Sequence, residues 1–301
     1  MMIERAYQFL FCDRRRKFFE RLILAVAIVG FVVHLAVIYL VDFGVIRPEV
    51  TSSLLRNPIA AAYTPFSFIL IYEVYLLIYY IPKSILTYIQ KQYEIITLIM
   101  IRRLFKDLSA VEISVDWFEI KGDLVFTYDL IGSLLLFFLL YFFQCQIKQR
   151  RATADDEATS RDDLDRYIRF KKGIAVCLIP ILFGVASFTL LGWSLGVFLP
   201  THSLASSFSD VNSVFFDEFF GILIIVDVFL LLFSFFVTDN FHTIIRNSGF
   251  IVSTILIRLS FSTEGLVAVV LVVVSVLFGL FILIIFNRYL QFMAGTGRGI
   301  K

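Results

Sequence analysis

The stretch Leu22 to Val41, LILAVAIVGFVVHLAVIYLV, holds twenty residues with no Asp, Glu, Lys or Arg. A run of that length meets the ~20 residues a helix needs to cross a ~30 Å hydrocarbon layer. In lipid, the backbone must satisfy its own hydrogen bonds, which leaves helices and closed barrels as the only spanning structures. Five more runs follow at 60–81, 124–145, 173–199, 215–237 and 266–287. Of the 301 residues, 59% are hydrophobic and 17% charged, against roughly 45–50% and 25% in soluble domains. The expected fold class is therefore an all-α integral membrane protein, a polytopic helical bundle. Arg14, Arg15, Arg16, Lys17 and Arg21 precede the first run. It is too long for a signal-peptide core and no small-residue cleavage site follows it, so a retained first helix is expected. A net charge of +2 is no nucleic-acid signature. Cys12, Cys145 and Cys177 imply neither a disulfide framework nor a metal site.

Two further segments, 84–103 and 239–258, are apolar but carry charges. Cytoplasmic loops are enriched in Lys and Arg, which tests whether these segments cross. With the N-terminus inside and only six crossings, the 27 basic residues divide 15 inside to 12 outside; with eight they divide 20 to 7. Eight crossings are expected, with both termini and the linker QIKQRRATADDEATSRDDLDRYIRFKK cytoplasmic and the loop PTHSLASSFSDVNS outside. The location expected is the cell membrane, the bacterial inner membrane.

The charged segments also point to a repeat. ILIYEVYLLIYYIPKSILTYIQKQYEIITLIMIRRL aligns with ILIIVDVFLLLFSFFVTDNFHTIIRNSGFIVSTILIRL. Glu73 falls on Asp227, 154 positions later, while Lys91 falls on Arg246 and Arg103 on Arg258, each 155 later. Self-similarity at a fixed offset is the mark of a repeat. The expected organisation is a first four-helix unit (1–148), a charged linker (149–172), a second four-helix unit (173–292) and a flexible tail (293–301). Both units enter from the cytoplasm, so they form parallel four-helix repeats.

Within this plan the intramembrane charges are the candidate site. Glu73 lies nine residues before Pro82 and Lys91 nine after it, both roughly 13 Å from the hairpin end if the helices stand upright. Pairing of Glu73 with Lys91, and of Asp227 with Arg246, is expected because an unpaired intramembrane charge costs ~2.5–3.5 kcal/mol. Glu94, at i+3 from Lys91, is placed to share that Lys. Arg102, Arg103 and Arg258 mark helix ends, where long side chains snorkel to the interface. Asp129 in TYDLIGSLL reads either as a pathway acid or as an outer-end hydrogen-bonding group. His34 reads as a satisfied buried histidine. Buried pairs of this kind serve an ion pathway or simply fix helix register.

Enzymatic motifs are lacking. GWSLG, Gly192 to Gly196, matches G-x-S-x-G but lies in an apolar helix, whereas a nucleophile elbow needs a strand-to-helix turn. A non-enzyme is expected, with no cofactor and no metal. A Glu in helix 2 followed by KQYE in helix 3 resembles voltage-sensor four-helix bundles. The resemblance stops at helix 4, LVFTYDLIGSLLLFFLLYFF, which has no Arg or Lys at three-residue spacing, so no voltage sensor is implied. The functional expectation is an ion channel or small-solute or ion transporter; the alternative is a non-catalytic scaffold whose ion pairs are structural. The expected partners are the lipid bilayer and a further copy of the chain or another membrane protein.

Overall fold

The computed structural model describes residues 2–44, 61, 63–108, 121–153, 161–198, 204–236, 240–263 and 265–296. These residues form helices and short turns, with no strand among them. In chain order the helices are α1 (Met2–Phe11), α2 (Asp13–Asp42), α3 (Tyr63–Tyr80), α4 (Ile85–Leu108), α5 (Lys121–Thr153), α6 (Arg161–Phe198), α7 (Leu204–Phe235), α8 (Phe241–Ser260) and α9 (Gly265–Thr296). Among the described residues, three are long and apolar enough to cross a membrane over 13–42, 123–149 and 265–293. Shorter apolar stretches occupy 71–80 in α3 and 221–235 in α7.

Local chemistry sets the boundaries. Cys12 is extended (φ −64, ψ 138) and Asp13 opens α2, where an acid favours the positive end of the helix dipole. Gly44, at φ 71, closes the same helix in the left-handed conformation that glycine adopts without strain. Between α3 and α4 the turn 81–84 contains Pro82, and the Ser84 hydroxyl accepts from the Thr87 N–H at 3.3 Å as an N-cap. Gly192 to Gly196 lies within α6, away from any strand-to-helix turn.

Consecutive helices pack in sequence from α2 to α5 and again from α6 to α9, and the two groups meet through α5 with α9, α4 with α8 and α3 with α6. Glu94 meets Gln144 and Arg103 meets Asp129, so α4 and α5 are antiparallel. Ser253 meets Ser275 and Arg246 lies over Phe286, so α8 and α9 are antiparallel too. By contrast α5 and α9 run the same way: Gly132 abuts Val269 towards one end and Asn287 donates to Gln146 towards the other. The centre of this group is aromatic, with the enclosed rings of Tyr93, Phe143 and Phe250 edge to face at 4.9 and 6.1 Å.

Helix extends beyond the apolar runs at three places. The tail before α2 contains the ten-residue helix α1, which packs on α6. The linker 149–172 is helical at both ends, because α5 continues to Thr153 and α6 begins at Arg161; residues 154–160 lie outside the described residues. Helix α9 likewise continues through Thr296, into the stretch read as a tail.

A candidate site of buried acids between the helices

Tyr88 and Gln92, one helical turn apart, share a face of α4. Both reach Asp227 in α7: the Tyr88 hydroxyl donates to Oδ1 at 2.8 Å and the Gln92 amide to Oδ2 at 3.4 Å. Arg258, in the last turn of α8, completes the group with Nη2 at 2.9 Å from Oδ2. Asp227 is 1% exposed. Three donors, one of them cationic, offset the cost of taking its charge out of water. The arrangement ties α4, α7 and α8 together and leaves the carboxylate closed to solvent.

Asp227 therefore pairs with Arg258, and the expected pair with Arg246 does not form. Arg246 instead donates to Asn247 Oδ1 at 3.0 Å and lies over the Phe286 ring at 4.3 Å. The reason is geometric. Tyr93 of α4 meets Ser253 of α8 at 2.6 Å, yet Tyr88 and Arg258 also converge on one carboxylate. Upright parallel helices level at 93 and 253 would set 88 and 258 about 15 Å apart along the axis. The two helices are therefore not upright neighbours, and equal distance from a turn is not equal depth.

The expected Glu73–Lys91 pair also gives way. Lys91 Nζ lies 2.5 Å from Glu94 Oε2, the i+3 contact that the sequence allowed. Glu94 further accepts from Gln90 at 2.8 Å and from Gln144 at 3.2 Å, binding α4 to α5. Glu73 is 7% exposed and has the Arg102 guanidinium as its nearby charge. Among the described residues no hydrogen-bond donor reaches its carboxyl group. Asp129 is fully enclosed, with Arg103 Nε 3.2 Å from Oδ2. Arg102, Arg103 and Arg258, read as helix-end residues, thus each face an acid inside the bundle.

Further polar groups were given no site role in the sequence. Asp123, in the first turn of α5, is fully enclosed, and neither of its oxygens has a hydrogen-bond partner among the described residues. Tyr93, Ser253 and the Ser275 carbonyl form a buried chain of 2.6 and 2.7 Å contacts. The detectable signal was spacing: Tyr88 and Gln92 at i,i+4, and Gln92 aligning with Asn247 at the same 155-residue offset. His34 Nδ1 lies 2.5 Å from Thr64 Oγ1, in line with a satisfied histidine. No cluster of His, Cys, Asp and Glu suited to a metal occurs among the described residues.

The chain is thus an all-helical protein with helices long and apolar enough to cross a membrane, and with charges enclosed between its helices. Compared with known protein families, characterised proteins and solved structures, it matches none.

Proposed function

We propose that the chain is a polytopic membrane protein that moves an ion or small polar solute through its bundle, with Glu73 as the acid that meets the solute. The observation that carries this reading is the contrast between the two corresponding acids. Asp227 is closed by three donors, whereas Glu73 is nearly buried, lies near Arg102 and has no donor on its carboxyl group among the described residues. An intramembrane carboxyl group left available is a pathway candidate; one saturated with bonds is a fastening. Asp129 and Asp123, in the outer part of α5, extend the acidic line towards that helix end.

The organisation we infer is eight crossings as two parallel four-helix units, termini cytoplasmic. Repetition of chain-order packing in α2–α5 and α6–α9 supports it, as does the common direction of α5 and α9. In each unit the acid of the second helix faces an arginine near the end of the third: Arg102 for Glu73, Arg258 for Asp227. The scaffold reading, in which every pair only holds helices, is favoured by the saturation of Asp227 and is kept as the alternative.

The test is cation flux, of protons, Na+ and K+, into liposomes containing the purified protein. Glu73→Gln should abolish flux while the protein remains folded. Unchanged flux in Glu73→Gln, or no flux of any of these cations with the unmodified chain, assigns the buried acids to the scaffold.

A further inference from the structure

Helix α1 packs on the start of α6, where Lys172 Nζ lies 3.5 Å from Glu4 Oε1 and 5.6 Å from the centre of the Tyr7 ring. Phe11, at its end, stacks near Tyr75 (5.8 Å) and Tyr79 (6.0 Å) of α3. Together they form an aromatic floor at one end of the bundle. Cations from separate elements converge on it. The Arg16 guanidinium of α2 lies 5.1 Å from the Tyr79 ring centre and Lys83 Nζ, from the α3–α4 turn, 5.5 Å from it. Lys171 of α6 donates to the Lys83 carbonyl at 3.2 Å, which ties the turn to α6.

Two observations separate this group from an ordinary solvated basic face. Arg16 is held near Asp13 at 3.7 Å, yet its Nε is enclosed with no hydrogen-bond partner among the described residues. Beside it Phe9 and Phe18 are 59% and 62% exposed, with Arg15 lying over Phe9 at 3.4 Å. Exposed rings at Phe9 in the short helix α1 and Phe18 in the first turns of α2, beside a cation with one enclosed and unpartnered nitrogen, match the headgroup level of a bilayer.

We propose that Arg16, Lys83 and Lys172, over the Tyr7 and Tyr79 rings, hold the phosphodiester of an anionic lipid headgroup. Four cations, with Lys171, face two acids, Glu4 and Asp13, so the junction is net positive. The exposed Phe9 and Phe18 contribute to holding a lipid, whose acyl chains they meet, but nothing to holding a soluble anion. Burial pushes the Lys171 ammonium down to about 8, in keeping with a place where an added anion is welcome. The inference rests on the helices being membrane-embedded and is independent of transport.

The test uses the full chain purified in uncharged detergent, read by thermal unfolding and by native mass spectrometry of retained lipid. Phosphatidylglycerol should raise the melting temperature and stay bound, while phosphatidylcholine and inorganic phosphate should do neither. Arg16→Gln/Lys83→Gln should retain phosphatidylglycerol about thirtyfold less well, the order expected for removing two cations from an anionic surface. Arg14→Gln/Lys17→Gln, which removes the same charge outside the junction, should retain it fully. If the first pair fails to fold, Lys83→Gln alone serves, since that side chain is exposed and its carbonyl remains for Lys171. An equal response to phosphatidylcholine, or an equal loss in Arg14→Gln/Lys17→Gln, overturns the site. The same stabilisation by inorganic phosphate alone would assign it to a soluble anion instead.

Discussion

Asp227 accepts from Tyr88, Gln92 and Arg258, so deleting any one donor leaves a charge enclosed with too few partners. Arg258→Met is expected to lower stability by about 3–5 kcal/mol, and Asp227→Leu/Arg258→Met to recover much of it, because the coupling belongs to the pair. Denaturant unfolding of the solubilised protein measures this cycle, and purely additive losses would remove the ion pair as a stabilising unit. The sequence showed which residues were charged but not which met. Spacing about a turn treats helices as upright rods, which placed Lys91 with Glu73 and Arg246 with Asp227. Asp227 meets Arg258, twelve residues beyond Arg246 in α8, and Lys91 is taken by Glu94 within its own helix. Lys171, at the membrane end of α6, gives a pH signature. Burial lowers its folded value from 10.5 to about 8, so between those limits the unfolded chain holds a proton the folded one has released. Stability from this group is therefore expected to be flat below pH 8 and to rise from pH 8 to about 10.5, and Lys171→Met should remove that slope.

At the scale of elements, every apolar run of the sequence falls on a helix, and the charged segments 84–103 and 239–258 fall on α4 and α8. Length and apolarity made these legible. Helix α1 was not, since ten amphipathic residues beside a basic cluster resemble a solvated tail when only spans of about twenty are sought. The ends of α5 and α6 ran further than their apolar parts because Gln, Lys and Arg sustain a helix beyond the lipid. Contact between α4 and α9 depends on one small residue. A methyl group at Gly279 would overlap the Tyr93 hydroxyl, which is also bonded to Ser253. Gly279→Ala is expected to cost about 1–3 kcal/mol as overpacking, despite the better helix propensity of Ala. Tyr93→Phe in the same chain should relieve part of that loss by removing the overlapping oxygen; a double variant no more stable than Gly279→Ala would show that the ring, not the hydroxyl, sets the limit.

For the whole molecule, the eight-crossing arrangement makes a direct topological prediction. Single cysteines at Ser114 and Ser206 should be labelled by an impermeant reagent in intact cells, and ones at Thr159 and Thr296 only after permeabilisation. Labelling of Thr159 in intact cells would place the basic linker outside and dismantle the arrangement. The proposed repeat rests in the sequence on three charges at a near-constant offset, since apolar residues match everywhere; the partners that join the two groups were not legible, because they lie far apart in the chain. Tyr88 and Gln92 are 139 and 135 residues ahead of Asp227. At ~5–20 residues per second of synthesis, that separation is a delay of roughly 7–28 s. During it, the first helices have left the ribosome while the polar face of α4 still lacks its acid. In the proposed eight-crossing arrangement, α4 would wait for α7 with this face unpaired, and ribosome pausing between the two would lengthen that interval.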